Sequence, residues 1–235
     1  MGCQRSGPLC GEEDSGGHIL GGCKNAEIAG VKILRHNDTV ITVGRAILHG
    51  AEGAFYTLMD AGKCDDNNDI AEETRIPPFI LPDIDDVTRS KLRPDLLRVR
   101  NLNKEQLAPQ TPDERKQYDI DVVEVGYCPD TQYAAKIIEK TAQHAELLAA
   151  LKAAGWGNVK LHILTFGNGG TTYKHNLTAL LAMGVTDSNA RKCLTKIHKA
   201  SVIRGHQMVR MRRWMERQPL LVPSRRTHTA DTEGT

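Results

Sequence analysis

Two cysteines and a histidine near the N-terminus carry side chains that bind transition metals. Cys10, His18 and Cys23 follow the spacing Cys-x7-His-x4-Cys. Thiolate sulfur and imidazole nitrogen suit a tetrahedral zinc ion, and a structural zinc site takes four ligands. The fourth ligand is open between Cys3, reached by a longer first loop, and His36. Bound zinc would supply folding energy that this Gly-rich segment cannot obtain from a core; the alternative is a set of unrelated thiols.

Two acidic residues fall in otherwise apolar segments. Asp95 stands at the start of the run PDLLRV (94–99), and Glu124 lies inside DVVEV (121–125). Two ionised carboxylates on adjacent buried strands repel each other unless a cation lies between them. Magnesium takes oxygen ligands of this kind, together with waters and a substrate phosphate. The pair therefore predicts a Mg²⁺ site, and the alternative is that Glu124 faces solvent from an edge strand while Asp95 merely follows a turn proline.

Two lysines follow the acidic pair on a predicted helix. Lys136 and Lys140 are four residues apart and therefore lie on one helical face. An ammonium group near the carboxylates would orient an attacking water or stabilise charge that develops on a phosphate. The alternative is a solvated stripe, and the choice between the two lysines is open.

The composition is that of a folded protein without a strong overall charge. The chain has 235 residues, 40% hydrophobic and 26% charged, with 31 Lys and Arg against 29 Asp and Glu. This length suggests one or two domains, and the charge balance means that any nucleic-acid surface must come from local clustering. No apolar run approaches the roughly 18 to 20 residues of a membrane-spanning helix, and the N-terminal residues lack an apolar signal core. We therefore expect an intracellular protein with reduced cysteines and no membrane partner.

The periodicity of apolar residues predicts a mixed α/β fold. Helical spacing predicts helices at 38–52, 131–154, 171–183 and 187–216. Apolar runs predict strands at 94–99, 120–127 and 159–166. The strand at 120–127 is apolar enough for burial on both faces. A strand, a helix and a strand with short links favour parallel pairing through a right-handed crossover.

The last predicted helix is rich in basic residues. Such side chains contact nucleic-acid phosphates and position DNA without reading its sequence. The alternative is a solvated surface, because the charges fall on more than one face. Together with the region around His36, this helix supplies our candidate nucleic-acid contacts: Arg35, His36, Arg210, Arg212 and Arg213.

The order of these motifs resembles a known family. Over about residues 7–170 the chain is similar to the restriction-enzyme-like endonuclease domain at the C-terminal end of non-LTR (LINE-type) retrotransposon polyproteins, in which a zinc knuckle precedes the nuclease. The motifs that carry the resemblance are Cys-x7-His-x4-Cys, RHN at 35–37, RPDLL at 93–97, VVEVGY at 122–127, EKTAQH at 139–144 and AAGW at 153–156.

The resemblance implies a PD-(D/E)xK nuclease that nicks target DNA to prime reverse transcription with one or two Mg²⁺ ions. Asp95 matches the Pro-Asp acid and Glu124 the second metal-binding acid. Lys140 matches the lysine that lies on the helix in this branch, with Lys136 as the other candidate. The chain departs from the general pattern at Gly126, where the wider superfamily has its lysine, and at Gln143, where some relatives have a basic residue.

The resemblance also implies an organisation and partners. We expect a zinc-knuckle-like segment at 1–36, a restriction-endonuclease-like mixed sheet flanked by helices at 37–217, and a disordered tail at 218–235. A reverse transcriptase is not expected, since the chain lacks paired aspartates in an apolar hairpin. The expected protein is a nuclear, Mg²⁺-dependent DNA endonuclease, a hydrolase derived from a retrotransposon, with DNA and the element's RNA as candidate partners. The alternative is a non-catalytic nucleic-acid-binding module or an inactive remnant.

Overall fold

The structure, a computed structural model, describes residue 10 and residues 15–51, 53, 55–60, 75–102 and 108–217. The predicted tail at 218–235 and the candidate zinc ligand Cys3 lie outside these residues. Within them, the chain forms a four-stranded sheet with helices packed on both faces. None of the described helices is long and apolar enough to cross a membrane.

The strands of the sheet are arranged in their order along the chain. They are β1 (Phe55–Met59), β2 (Leu96–Arg100), β3 (Asp119–Cys128) and β4 (Asn158–Gly167). β1 and β2 pair antiparallel, as do β2 and β3, whereas β3 and β4 pair parallel. The three predicted strands, the parallel pairing and the mixed α/β class are therefore confirmed, and β1 is an addition to the prediction.

Seven α-helices of the described chain surround this sheet. They are α1 (Ala26–Gly50), α2 (Asp86–Arg89), α3 (Pro112–Arg115), α4 (Tyr133–Gln143), α5 (Ala145–Ala153), α6 (Lys174–Ala182) and α7 (Asp187–Arg217). The existence of the two C-terminal helices, α6 and α7, is confirmed. Their positions agree with the prediction to within a few residues.

Two helix predictions need correction. The helix predicted at 38–52 begins much earlier, because Asn25 caps it and accepts hydrogen bonds from the backbone N–H groups of Glu27 and Ile28 at 3.0 and 3.3 Å. The single helix predicted at 131–154 is interrupted at His144, where the backbone turns to φ −97° and ψ 6°. This break ends α4 and starts α5.

The sheet separates two hydrophobic cores. Val123 and Val125 of β3 pack in the core that contains residues of α1, α6 and α7, whereas Ile120 and Val122 pack in the core that contains residues of α5. Burial on both faces of β3 is thus confirmed. Since side chains alternate along a strand, Glu124 shares the face of Val122, and α4 lies beside it.

The Cys-rich segment packs against α1 and α7 through a small third core. A π-helical turn, His18–Gly22, leads into Cys23, which is buried with Ile28, Met208 and Met215. Hydrophobic burial therefore helps to order this segment in addition to any bound metal. The division at residue 36 remains a prediction, and α1 runs without interruption across it.

Candidate functional site

The fold brings the two predicted acidic residues together. Asp95 directly precedes β2, and Leu96 pairs with Val123, so continuing the register by one residue places Asp95 opposite Glu124. Residues opposite each other on antiparallel strands have Cβ atoms about 4.5 to 5.5 Å apart. The backbone N–H of Val125 donates to Asp95 Oδ2 at 2.6 Å and fixes that carboxylate against β3. Both carboxylates therefore lie at one place in the sheet.

Glu124 is an interior residue. Its strand β3 lies between β2 and β4, and the residue is only 3% exposed. Lys140 Nζ donates to Glu124 Oε1 at 2.5 Å, and His144 Nε2 lies 2.8 Å from Glu124 Oε2. The alternative in which Glu124 faces solvent from an edge strand does not hold.

The contacts of Glu124 keep it ionised. Burial alone would raise the pKa of this carboxyl, but the hydrogen bonds and positive charge of His144 and Lys140 outweigh burial and lower the pKa below its usual value. Hydrogen bonds from cationic donors favour the charged form of a carboxyl group. The site therefore presents a buried carboxylate with an ammonium group beside it.

The structure distinguishes the two candidate lysines. Lys140 contacts Glu124, whereas Lys136 Nζ pairs with Glu139 at 2.6 Å. The methylene chain of Lys136 lies over Gly126, where a Cβ atom would stand 3.3 Å from its Cγ. Of the two lysines, Lys140 is the one positioned at the acidic pair.

His36 faces the acidic pair and not the cysteines. Its Nε2 lies 3.2 Å from Asp95 Oδ2, and its Nδ1 lies 3.4 Å from Asn37 Oδ1. Burial tends to lower the pKa of His36, but the hydrogen bond and charge of Asp95 outweigh it, and the pKa is raised. His36, one of the two candidates for the fourth zinc ligand, thus contacts Asp95 and is not part of the Cys/His group in the described residues.

Two further residues at the site were not predicted from the sequence. His144 follows Lys140 by four residues, and this i, i+4 spacing is the signal that would have placed both on one helical face. Asp60 follows β1, and its N–H donates to the Asp95 carbonyl at 2.9 Å. The register of β1 and β2 places Asp60 opposite Asp95, and Arg93 Nε donates to Asp60 Oδ2 at 3.1 Å.

The predicted Cys/His cluster is formed as well. Cys10 Sγ lies 3.0 Å from His18 Nε2 and 3.7 Å from Cys23 Sγ. The ligand atoms of these three residues lie within 4.8 Å of one another, so they could hold a metal ion. Lys32 Nζ donates to the carbonyl groups of Gly21 at 3.0 Å and Cys23 at 2.5 Å, which ties the cluster to α1.

The predicted nucleic-acid contacts fall into two classes. Arg210 and Arg213 are exposed on α7. Arg35 and Arg212 are each only 2% exposed. The guanidinium of Arg35 lies 4.1 Å from the ring centroid of Tyr127. Arg35 and Arg212 therefore do not lie on the outer surface, as a nucleic-acid contact there would require, because both side chains lie in the interior.

A basic groove lies between α1 and α7. His49 of α1 and Lys192 and Lys196 of α7 line it, and Lys199 continues the basic surface along α7. All four residues are exposed, and the lining of this part of the described surface includes no acidic side chain. The groove is thus a locally positive surface on a chain of nearly balanced charge.

No family model and no curated protein matches this chain. The fold class alone does not define an activity. The function must therefore be inferred from the chemistry of the acidic pair, the Cys/His cluster and the basic groove.

Proposed function

We propose that the protein is a Mg²⁺-dependent DNA endonuclease of the restriction-enzyme-like class, derived from a LINE-type retrotransposon and active in the nucleus. The observation that carries the proposal is the position of Asp95 opposite Glu124, with Lys140 bonded to Glu124. Two carboxylates and an ammonium at one point of a sheet form a group that can bind a divalent cation and a phosphate together.

The donor set of the acidic pair fits magnesium. Both groups offer carboxylate oxygens, and Asp95 Oδ1 has no hydrogen-bond partner among the described residues. Mg²⁺ commonly uses one or two protein carboxylates and completes its shell with waters and substrate phosphate oxygens. A bound Mg²⁺ would offset phosphate charge and lower the pKa of an attacking water.

The side chains around the pair have distinct roles in this proposal. Lys140 contributes positive charge where charge develops on the phosphate, and it also donates to Gln143 Oε1 at 3.0 Å, which restrains the ammonium. His144 and His36 are positioning residues, since each holds one carboxylate by a hydrogen bond. The basic groove supplies phosphate contacts that bind DNA without reading its sequence.

The direct test is nicking of supercoiled plasmid by zinc-loaded protein, with Mg²⁺ and in the same buffer without Mg²⁺. We expect conversion to the open circular form only when Mg²⁺ is present. The comparison omits strong chelators, because these would also remove zinc. Absence of cutting by folded, zinc-loaded protein would reject the catalytic proposal for this chain.

The second candidate is a non-catalytic nucleic-acid-binding module, and the basic groove favours it independently of the acidic pair. Such a protein would bind DNA or RNA with an affinity that falls as salt increases, yet would cut neither. A double variant, Lys192→Gln with Lys196→Gln, is expected to reduce binding in either case. Binding without Mg²⁺-dependent cutting would identify the module.

Lys140→Met is expected to reduce the nicking rate by about 10² to 10³-fold, because it removes the positive charge that stabilises the negative charge developing on the phosphate. Lys136→Met is the matched control, since it removes the same group one helical turn away, where the lysine pairs with Glu139. We expect that control to retain the wild-type rate to within about threefold, a small change on the scale of tenfold per 1.4 kcal/mol, because its ammonium pairs with Glu139 and not with the acidic pair. Equal rates for the two variants, measured on supercoiled plasmid, would contradict the assignment of Lys140.

We also propose that the metal held by Cys10, His18 and Cys23 is zinc, because this ligand set is soft and closely grouped. Purified protein is expected to contain one zinc per chain by elemental analysis. Cys10→Ser should lose that zinc, whereas Cys128→Ala, which changes a buried cysteine outside the cluster, should retain it. Cys3→Ser tests the remaining candidate for the fourth ligand. Full zinc content in Cys10→Ser would rule out this cluster as the site.

A further inference from the structure

A cavity of about 460 Å³ lies beside the acidic pair, between the Cys/His turn and the sheet. Its lining includes the backbone of glycines in the turn, the side chains of Lys32, Arg35 and His36 from α1, and Asn168 after β4. Three basic side chains, and no acidic one among the described residues, thus face a space large enough for a small ligand group.

Arg35 supplies a buried positive charge that has no acidic partner among the described residues. Its Nη1 donates to the Asn168 carbonyl at 2.8 Å and its Nη2 to the Leu20 carbonyl at 3.1 Å, while its Nε has no hydrogen-bond partner. These carbonyls and the Tyr127 ring are neutral groups. A buried charge is costly when no opposite charge compensates it. An anion in the cavity would provide that compensation.

Lys32 and His36 lie one turn apart on α1, Lys32 at the Cys/His turn and His36 at the acidic pair. Lys32 Nζ uses two donors on the carbonyl groups of Gly21 and Cys23. An ammonium has three donors, so one remains for a ligand. His36 lines the cavity and also contacts Asp95. The cavity and the acidic pair are therefore separated by a single imidazole ring.

We propose that this cavity binds a phosphate group of the DNA strand that is cut, next to the phosphate held at the acidic pair. The proposal rests on the proposed endonuclease function, because it is the acidic pair that identifies the neighbouring phosphate. Glycines in the wall allow a phosphate to approach the backbone closely. The site would set the position of the strand along the enzyme and not its sequence.

The test uses a fluorescent single-stranded oligonucleotide, zinc-loaded protein and buffer without Mg²⁺. One phosphate at a time is replaced by a neutral methylphosphonate, and affinity is measured by fluorescence anisotropy. We expect one position at which the replacement weakens binding about tenfold, the effect of losing one charge-assisted hydrogen bond. For the wild-type protein, the slope of log affinity against log salt concentration should be smaller in magnitude by about 0.7 with that oligonucleotide, as expected for one lost phosphate contact on a single strand.

Two glycine variants show whether that position is bound in the cavity. Gly17 lines the cavity with a helical backbone, and a Cβ added there meets only Ser15 Oγ, at 3.9 Å. Gly17→Leu should therefore fold, fill the cavity rim and remove the position-specific loss. Gly16 has nothing within 4 Å of an added Cβ and is not among the residues that line the cavity. Gly16→Leu should behave as wild type.

Each outcome decides the inference separately from the endonuclease proposal. A uniform loss along the oligonucleotide, or a position-specific loss that Gly17→Leu retains, would overturn the cavity assignment even if the protein nicks plasmid. A position-specific loss that Gly17→Leu abolishes would support binding of a strand phosphate in the cavity, and absence of nicking would then reject only the endonuclease proposal. Binding of inorganic phosphate that Gly17→Leu abolishes, without competition from the oligonucleotide, would assign the cavity to a free phosphate and overturn the strand proposal.

Discussion

Asp95→Asn and Glu124→Gln are each expected to lower Mg²⁺-dependent nicking by about 10³-fold or more. Each change removes a negative charge from the cation site but retains the size of the side chain. Metal stabilisation of the transition state amounts to several kcal/mol, and about 1.4 kcal/mol corresponds to a tenfold change in rate. The measurement is the initial rate at which supercoiled plasmid disappears at saturating Mg²⁺.

The Asp95→Asn variant separates catalysis from binding and folding. In Asp95→Asn the amide oxygen can still accept the Val125 N–H, so the local structure should persist. Removing a negative charge near a bound phosphate should leave DNA affinity unchanged or raise it. Loss of cutting together with loss of affinity would instead indicate a folding defect.

Asp60→Asn is the matched control for the acidic pair. Asp60 directly follows β1 and lies opposite Asp95, but its carboxylate already accepts a hydrogen bond from Arg93. We therefore expect a loss of less than about tenfold, that is less than about 1.4 kcal/mol of activation free energy, because Arg93 already compensates this carboxylate. A loss equal to that of Asp95→Asn would make Asp60 a third member of the cation site. Wild-type cutting by Asp95→Asn would contradict the assignment of the pair.

The strands that carry the acidic residues could be predicted because their signals are local. The run at 120–127 is almost continuously apolar, so its one glutamate stood out as a buried charge. The pairing of Asp95 with Glu124 then followed from placing two neighbouring strands side by side. β1 could not be predicted as readily, because its residues FYTLM form a short strand without strict alternation.

The start of α1 was missed because a charged residue occupies an interior position. Ile28, Val31 and Arg35 are all buried at spacings of three and four, which is a helical face. Arg35 interrupts the apolar pattern, because the sequence alone does not distinguish a buried arginine from a solvated one. The cap at Asn25 was the remaining signal for the helix start.

The contacts of His36 depend on tertiary structure. His36 and Asp95 are 59 residues apart in the sequence, and their distance is set by how α1 packs on the sheet. Proximity along the chain favoured the cysteine cluster, whereas α1 carries the histidine to the acidic pair. The i, i+4 spacing of Lys140 and His144, by contrast, is local, and it would have placed His144 on the same side as Lys140.

Asp121→Asn is expected to lower the free energy of unfolding by about 3 to 5 kcal/mol, the usual effect of removing one partner from a buried ion pair. Asp121 is fully buried and accepts hydrogen bonds from Arg98, Arg100 and His162. Arg98 is also only 2% exposed, so the variant removes a negative charge that faces a buried positive one. Urea unfolding measures the change.

Asp119→Asn is the control for that variant, because Asp119 lies on the same strand and is only partly buried. It should change stability by less than about 0.5 kcal/mol. A similarly small change in Asp121→Asn would show that the cluster contributes little to folding.

The same cluster predicts how stability depends on pH. Burial would raise the pKa of Asp121, but the hydrogen bonds and charges of His162, Arg100 and Arg98 outweigh it and hold the pKa well below its usual value. A lowered carboxyl pKa gives stability that is complete above the unfolded-state value of about 3.9 and is lost as pH falls towards the folded-state value. The stability difference between wild type and Asp121→Asn should therefore shrink in acid, in urea unfolding repeated from neutral pH downward. A constant difference would contradict this origin.

This stability prediction bears on the site because Asp121 helps to set the strand register. Arg98 and Asp121 are direct partners in the pairing of β2 with β3, three residues along from the position where Asp95 meets Glu124. A slip of one residue would turn every side chain of a strand to its opposite face. The buried charge pair opposes such a slip, since a shifted register would separate the two charges. We therefore expect Asp121→Asn to reduce nicking even at temperatures where the variant remains folded, through misalignment of the acidic pair.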